Sequence, residues 1–191
     1  MSSPFDARPL VVAIAGSNGA GKTTFYEAHL APAGLRFVNA DDLARELEVD
    51  AYEAAEIAGT LRETLLEQGE SFVFETVFSD PVGEKVAFLE RAAGKGYTVV
   101  LCFIGIDGPE VSEERVSMRV LQGGHDVPSR KLGERFPRTL RNLSRAVRDL
   151  PHVLVFDNGD LGRPFRMVAR FERGARVEKK SPVPRWVPRG R

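Results

Sequence analysis

The sequence predicts a three-layer α/β domain: a mainly parallel sheet with helices on both faces and a C-terminal β-hairpin. Three observations carry this. Short apolar runs alternate with longer helix-patterned stretches from Pro9 onward. The first run, Pro9–Ala15, leads through a glycine-rich segment straight into a helical stretch. The 191 residues, 42% hydrophobic and 28% charged, have ordinary globular composition and the length of one domain.

Each element has its own signal. Pro9–Ala15 is an apolar run bounded by Pro and Gly, the mark of a strand buried on both faces. Lys22–Leu30 reads as a helix and Leu35–Val38 as a short strand. Asp42–Glu48 and Tyr52–Glu67 read as helices, the second stopped at Gly69. Ser71–Phe74 is a strand, and Val82–Ala93 is a helix ended by Gly94 and Gly96. Tyr97–Ile104 is the clearest strand of the chain. Val111–Leu121 is a helix stopped by Gly123-Gly124, and Ser129–Leu150 is a second one in which Pro137 predicts a break or a first-turn position. Val153–Phe156 is a strand. Phe165–Glu172 and Ala175–Glu178 form a hairpin turning at Arg173-Gly174. Pro182, Pro184 and Pro188 exclude regular structure at the end, so the expected organisation is one domain over 1–180 and a Pro/Arg-rich tail over 181–191.

Composition excludes several classes. The 27 basic and 27 acidic residues give a formal net charge of zero, so no nucleic-acid partner is expected. The apolar run Leu10–Ala15 is too short for a signal segment or a bilayer span, so no membrane association is expected either. The lone Cys102 rules out an internal disulfide framework and points to a reducing, cytoplasmic setting. Locally the charge is uneven. Eleven acids between Asn39 and Glu75 face only Arg45 and Arg62, whereas nine bases between Arg115 and Arg148 face only Asp126 and Glu134. Solvated helix faces account for such a pattern, and so does a basic lobe closing over an anionic ligand.

The strongest chemical signal is Gly16-Ser17-Asn18-Gly19-Ala20-Gly21-Lys22-Thr23, followed by Thr24. It matches G-x-x-x-x-G-K-[ST] between a buried strand and a helix, the context the motif requires. Glycines let successive amides turn toward one anion, and the helix start adds its dipole and its unpaired N–H groups. Lys22 reaches the β- and γ-phosphates, and the Thr23 hydroxyl ligates Mg²⁺. A nucleoside triphosphate site follows, with ATP and Mg²⁺ as expected cofactors.

The reaction needs further residues. No Asn-Lys-x-Asp base reader of a guanine switch is present. A motor would want an apolar strand ending in a metal-binding Asp, and Phe72-Val73-Phe74-Glu75 ends in Glu. A kinase needs an acceptor-side carboxylate and mobile cations. Asp41, after the strand Leu35–Val38, sits where α/β sheets place ligands and is the candidate base; a helix cap is its structural alternative. Arg119, the Gly123-Gly124 hinge, and Arg130, Lys131 and Arg135 have the layout of a lid over roughly 119–137. Arg138, Arg141, Arg145 and Arg148 lie opposite the apolar stripe and read mostly as a solvent face. His29, His125 and His152 do not suggest a metal site.

With these residues in place, the chain resembles the zeta-toxin-like P-loop kinases. The matching pieces are the loop through Phe25, Phe37–Asp41, Ser71–Ser79, Gly96-Tyr97, Arg115–Val120, Gly123–Pro128, Asn142-Leu143 and Phe156–Asn158, which together span about residues 10–172. The resemblance implies a P-loop kinase fold and phosphorylation of a sugar hydroxyl, best known on UDP-N-acetylglucosamine. It implies that Asp41 is the base, that Glu75 and Thr76 hold the acceptor, and that Arg119 with a later lid base stabilises the transferring group. That later base is Arg130, Lys131 or Arg135. The expected partners are a small-molecule hydroxyl acceptor and an antitoxin protein. The competing readings are a nucleoside or nucleic-acid-end kinase and a non-catalytic nucleotide-binding module; intact Asp41 and Arg119 oppose the latter.

Overall fold

A computed structural model describes residues 3–121 and 127–191. In chain order the elements are β1 (Leu10–Ala15), α1 (Lys22–His29), β2 (Arg36–Val38), α2 (Ala40–Leu47), α3 (Ala51–Glu67), β3 (Phe72–Thr76), α4 (Glu84–Gly94), β4 (Thr98–Gly105), α5 (Pro109–Leu121), α6 (Ser129–Asp149), β5 (His152–Asp157), β6 (Arg166–Glu172) and β7 (Ala175–Lys179). The seven strands form one sheet in the order β2-β3-β1-β4-β5-β6-β7. Strands β1 to β5 pair in parallel, and β6 and β7 join antiparallel at one edge. This is the expected mostly parallel three-layer sheet with its C-terminal hairpin.

β1 lies between β3 and β4, and every one of its residues is buried. Alternate side chains go to opposite layers, as the strand period demands. Val11, Ala13 and Ala15 pack with α3, α4 and α6 through Leu65, Leu66, Leu89 and Leu143. Leu10, Val12 and Ile14 pack with α1 through Phe25 and with Val111 of α5. Burial on both faces is why this strand reads as an unbroken apolar run. The chain turns to β2 and β3 on one side of β1 and then crosses to β4 on the other. That reversal of strand order opens a crevice at the carboxyl ends of the parallel strands. Cys102 of β4 is 1% exposed, and burial pushes its thiol pKa up to about 12.

Two features differ in detail from the sequence reading. Pro137 neither breaks α6 nor starts it; the helix runs through it. The carbonyl that Pro137 leaves without its usual donor belongs to Gly133, which has nothing within 4 Å of where a Cβ would lie, so water can take it. Residues 181–191 carry no helix or strand, yet they fold back onto the sheet. The Arg191 amide donates to Gly174 O at 2.8 Å, and Trp186 packs on Phe103 at 6.0 Å between ring centroids. The Gly123-Gly124 hinge, with His125 and Asp126, lies outside the described residues. Among the described residues no helix is long and apolar enough to cross a membrane.

The loop after β3 is gripped by α6. Thr139 Oγ1 donates to Val77 O at 3.0 Å, and Asn142 Nδ2 donates to Phe78 O and to Asp80 O, both at 2.9 Å. Phe78 is held in the left-handed region at φ 62°, which a bulky residue adopts only under such constraint. Asn142→Leu orphans those carbonyls. It should destabilise the domain by about 1–3 kcal/mol, lowering Tm by roughly 3–10 °C in a thermal melt. An unchanged melting curve would show that the loop holds itself.

Candidate active site

The crevice is built first by the loop between β1 and α1. Gly16 leaves β1 so close to β4 that a Cβ there would lie 2.2 Å from Ile104 O. Gly21 caps α1 at φ 91°, with a would-be Cβ 2.7 Å from Asn158 Nδ2. Only glycine fits either place. The loop is braced from behind. Ser112 Oγ donates to Asn18 O at 2.6 Å, Arg115 to Gly19 O at 3.4 Å, and Asn158 Nδ2 to Ala20 O at 2.8 Å. Arg115 also donates to Asn158 O at 2.9 Å, joining the two braces. Three consecutive carbonyls are thus engaged from one side, an arrangement in which a loop keeps its amides for an anion on the other. Sequence reasoning gave Ser112, Arg115 and Asn158 no role. They stand more than 90 residues from the loop, and no local pattern links them to it.

Lys22 is 7% exposed. Its Nζ donates to Ser17 O at 3.0 Å and lies 3.7 Å from Glu75 Oε1. Burial pulls the pKa of the ammonium below its ordinary value; Glu75 and then Asp41 pull it back up, and Arg119 pushes it down. Those three residues therefore share the electrostatic surroundings of Lys22. Thr23 Oγ1 donates to Glu75 Oε2 at 2.9 Å, so Glu75 bridges the lysine and the threonine of the loop. The register explains the meeting: β3 runs beside β1 with Glu75 opposite Ile14 and Thr76 opposite Ala15. Thr24 follows on the exposed side of α1.

Asp41 lies in the first turn of α2 but does not cap it. Asn39 is the cap, its side chain accepting from the Asp41 amide at 2.9 Å. Asp42, the other candidate, is paired with Arg45 at 2.7 Å. The Asp41 carboxylate is exposed and is left for the crevice, where it lines a cavity of about 210 Å³ together with Glu75, Thr76, Arg62 and Lys85. The three candidate lid bases diverge. Arg130 is 90% exposed and paired with Glu134 of its own helix. Lys131 and Arg135 instead line a second cavity, of about 390 Å³, with Tyr52, Ser79 and Asp80.

The oxygens of Thr23 and Glu75 are the donor type a hard divalent cation takes. Among the described residues no group of three or more His, Cys, Asp or Glu side chains could hold a metal alone. These two oxygens therefore fit Mg²⁺ that completes its shell with phosphate and water.

No curated protein sequence matches the chain. The fold is similar to that of a protein from the PezAT chromosomal toxin–antitoxin system of Streptococcus pneumoniae: 17% identity, TM-score 0.59, 89% of this chain and 73% of that one. It is similar to AvrRxo1-ORF1:-ORF2, whose structure was solved with ATP, at 20% identity and TM-score 0.60; the match covers 91% of this chain and 61% of that one. A candidate kinase of Chloroflexus aurantiacus matches at 20% identity and TM-score 0.55 over 82% of this chain and 92% of its own. The sequence profile of the zeta toxin family matches residues 38–164, from the end of β2 to the turn before β6. With most of its length matched in this way and its phosphate loop just ahead of the match, the chain belongs to the zeta toxin family and is a P-loop kinase, a phosphotransferase.

Proposed function

We propose that this kinase transfers the γ-phosphate of ATP to a hydroxyl of a small molecule, with a nucleotide sugar such as UDP-N-acetylglucosamine as the acceptor class. The observation that carries the proposal is the convergence of Lys22, Thr23 and Glu75 at the end of the P-loop, with Asp41 and Glu75 lining one adjacent cavity. ATP as donor is supported by the similar fold of AvrRxo1, solved with that nucleotide.

Each residue has a physical task in such a transfer. The loop amides and the N-terminus of α1 bind the β- and γ-phosphates. Lys22 neutralises charge that spreads over the γ-phosphoryl oxygens, and its buried position keeps that attraction from being screened by water. Mg²⁺, held by Thr23 with Glu75 close by, would supply charge neutralisation between the phosphates. Asp41 accepts the proton of the incoming hydroxyl and orients it; a loose transfer needs orientation more than a strong base. Glu75, tied to Lys22 and Thr23 on one side and the cavity on the other, sets the acceptor against the donor, and Thr76 lines the wall beside it. Arg119 stands with the transferring group, and Lys131 or Arg135 is the lid base that joins it, since Arg130 is taken up by Glu134 of its own helix. The similar fold in the PezAT toxin–antitoxin system supports an antitoxin protein as partner. We place the enzyme in the cytoplasm.

Three substitutions test the assignment. Lys22→Ala should reduce ATP-dependent transfer by at least about 10²–10³-fold in a folded protein, the range seen when one transition-state donor is removed. Asp41→Asn should leave the melting temperature and ATP affinity nearly unchanged, because Asn39 supplies the cap. It should cut transfer by about 10²-fold or more. Full transfer by Asp41→Asn would sink the base assignment. Glu75→Gln keeps a group that can accept from Thr23 but loses the charge beside Lys22; it should raise both the Mg²⁺ concentration required and the acceptor KM. A change in neither, measured by coupled ADP release, would place Glu75 outside the reaction.

A further inference from the structure

We propose that the acceptor carries an anionic group as well as its hydroxyl, and that Arg62, assisted by Lys85, is the specificity-determining residue that binds it. The inference rests on the reading that Asp41 and Glu75 mark the acceptor side of the crevice.

Arg62 is in α3 and is only 8% exposed, so more than nine-tenths of it is buried. Among the described residues no carboxylate lies within ion-pair distance of its guanidinium, and it makes no hydrogen bond. Its one specific contact is the ring of Phe74, whose centroid is 5.2 Å from Cζ. The nearby acids Glu63 and Glu84 favour its charge from beyond ion-pair distance, and each has a nearer cation. Glu63 pairs with Arg91, and Glu84 is exposed beside Lys85 at 3.5 Å. A guanidinium stays charged and carries five donors in a planar fork. Burying it without partners is unfavourable unless something else meets it. The little surface it keeps opens on the 210 Å³ cavity that Asp41, Glu75 and Thr76 also line, and on a neighbouring one of about 310 Å³ that Lys85 shares.

That lining puts side chains of both charges around one cavity. Asp41 and Glu75 repel an anion and attract a hydroxyl. Arg62 and Lys85 attract an anion and suit a carboxylate or phosphate, for which the guanidinium fork makes a bidentate contact. A molecule bound across the cavity is therefore oriented: hydroxyl to Asp41, anion to Arg62. The cavity is also smaller than the roughly 300–1,000 Å³ of sites that enclose a whole drug-sized ligand. The enclosed part of the acceptor is thus a compact unit in which anion and hydroxyl are close together. A free sugar phosphate and the phosphate-bearing part of a nucleotide sugar share this chemistry.

The experiment uses the full chain with its donor site saturated by the non-hydrolysable analogue AMP-PNP and Mg²⁺, so that added anions cannot occupy the P-loop. Matched pairs are titrated by calorimetry: glucose against glucose 1-phosphate, and N-acetylglucosamine against both its 1-phosphate and its UDP conjugate. The anionic member of a pair should bind at least tenfold tighter than the neutral one. Preference for the simple phosphate over the conjugate identifies a free sugar phosphate; the reverse identifies a nucleotide sugar. Arg62→Met should collapse the preference to within about twofold while leaving AMP-PNP affinity unchanged, and Lys85→Ala should lower it severalfold. If Arg62→Met does not fold, Arg62→Lys replaces it and should lower the preference while keeping some of it, because charge remains and the fork is lost. The inference is overturned if no anionic member binds more tightly than its neutral partner. It is also overturned if the Arg62 variant and Lys85→Ala keep the wild-type preference, or if the Arg62 variant weakens neutral and anionic ligands equally, the signature of a packing role on Phe74. Transfer of phosphate to a neutral alcohol as readily as to its anionic counterpart would remove the inference and leave the kinase reading standing. Arg62-dependent anion binding without transfer to any acceptor would do the reverse.

Discussion

The architecture turns on one buried charge. Lys22 must be positive to act on phosphate, and it stands almost fully out of water. Such a charge is tolerated only when acceptors and counter-charges are fixed around it. Ser17 O and Glu75 meet it directly, and Asp41 adds its field. Each of these depends on a larger element. Glu75 is delivered by β3 in register with β1, Ser17 by a loop that only glycine lets past β4, and Asp41 by a helix capped two residues earlier at Asn39. Both acids also line the cavity beside the loop, so the carboxylates that offset the buried cation are the ones a molecule in that cavity would meet.

The P-loop and the acceptor side are held by different parts of the chain. The loop is clamped from α5 and from the end of β5, through Ser112, Arg115 and Asn158. The segment after Glu75 is clamped from α6, through Thr139 and Asn142. Both helices also carry the candidate phosphate-directed cations, Arg119 on α5 and Lys131 and Arg135 on α6. The candidate cations are thus continuous, through α5 and α6, with the residues that brace the P-loop and the segment after Glu75.

Much of this was legible in the sequence for physical reasons. β1 and β4 are buried on both faces and so read as unbroken apolar runs, and α3 and α4 end at glycines that stop helices. The phosphate loop was legible because its chemistry dictates residue types at fixed spacing. The start of α2 was not: Asn39, Asp41 and Asp42 are all good cap formers, and only the backbone shows that Asn39 takes the amide. Pro137 was misleading because its effect depends on whether the carbonyl four residues earlier can reach water, and Gly133 sits on open surface. Arg62 is one of just two bases in an acidic stretch, which reads as an ordinary solvated residue. Its burial over Phe74 is set by packing between α3 and β3, which no local pattern reports.

Cys102 has a practical consequence. Thiol reagents attack the thiolate, and a pKa pushed to about 12 leaves almost none of it near neutral pH. Buried in the middle of β4, the sulfur is also out of reach of a reagent. The native thiol is therefore silent to maleimides while the chain is folded, and no cysteine has to be removed before labelling. A cysteine introduced in place of Arg130, outward-facing on the first turn of α6, would be the single accessible thiol. A fluorophore attached there would report on the surroundings of α6 as nucleotide is added.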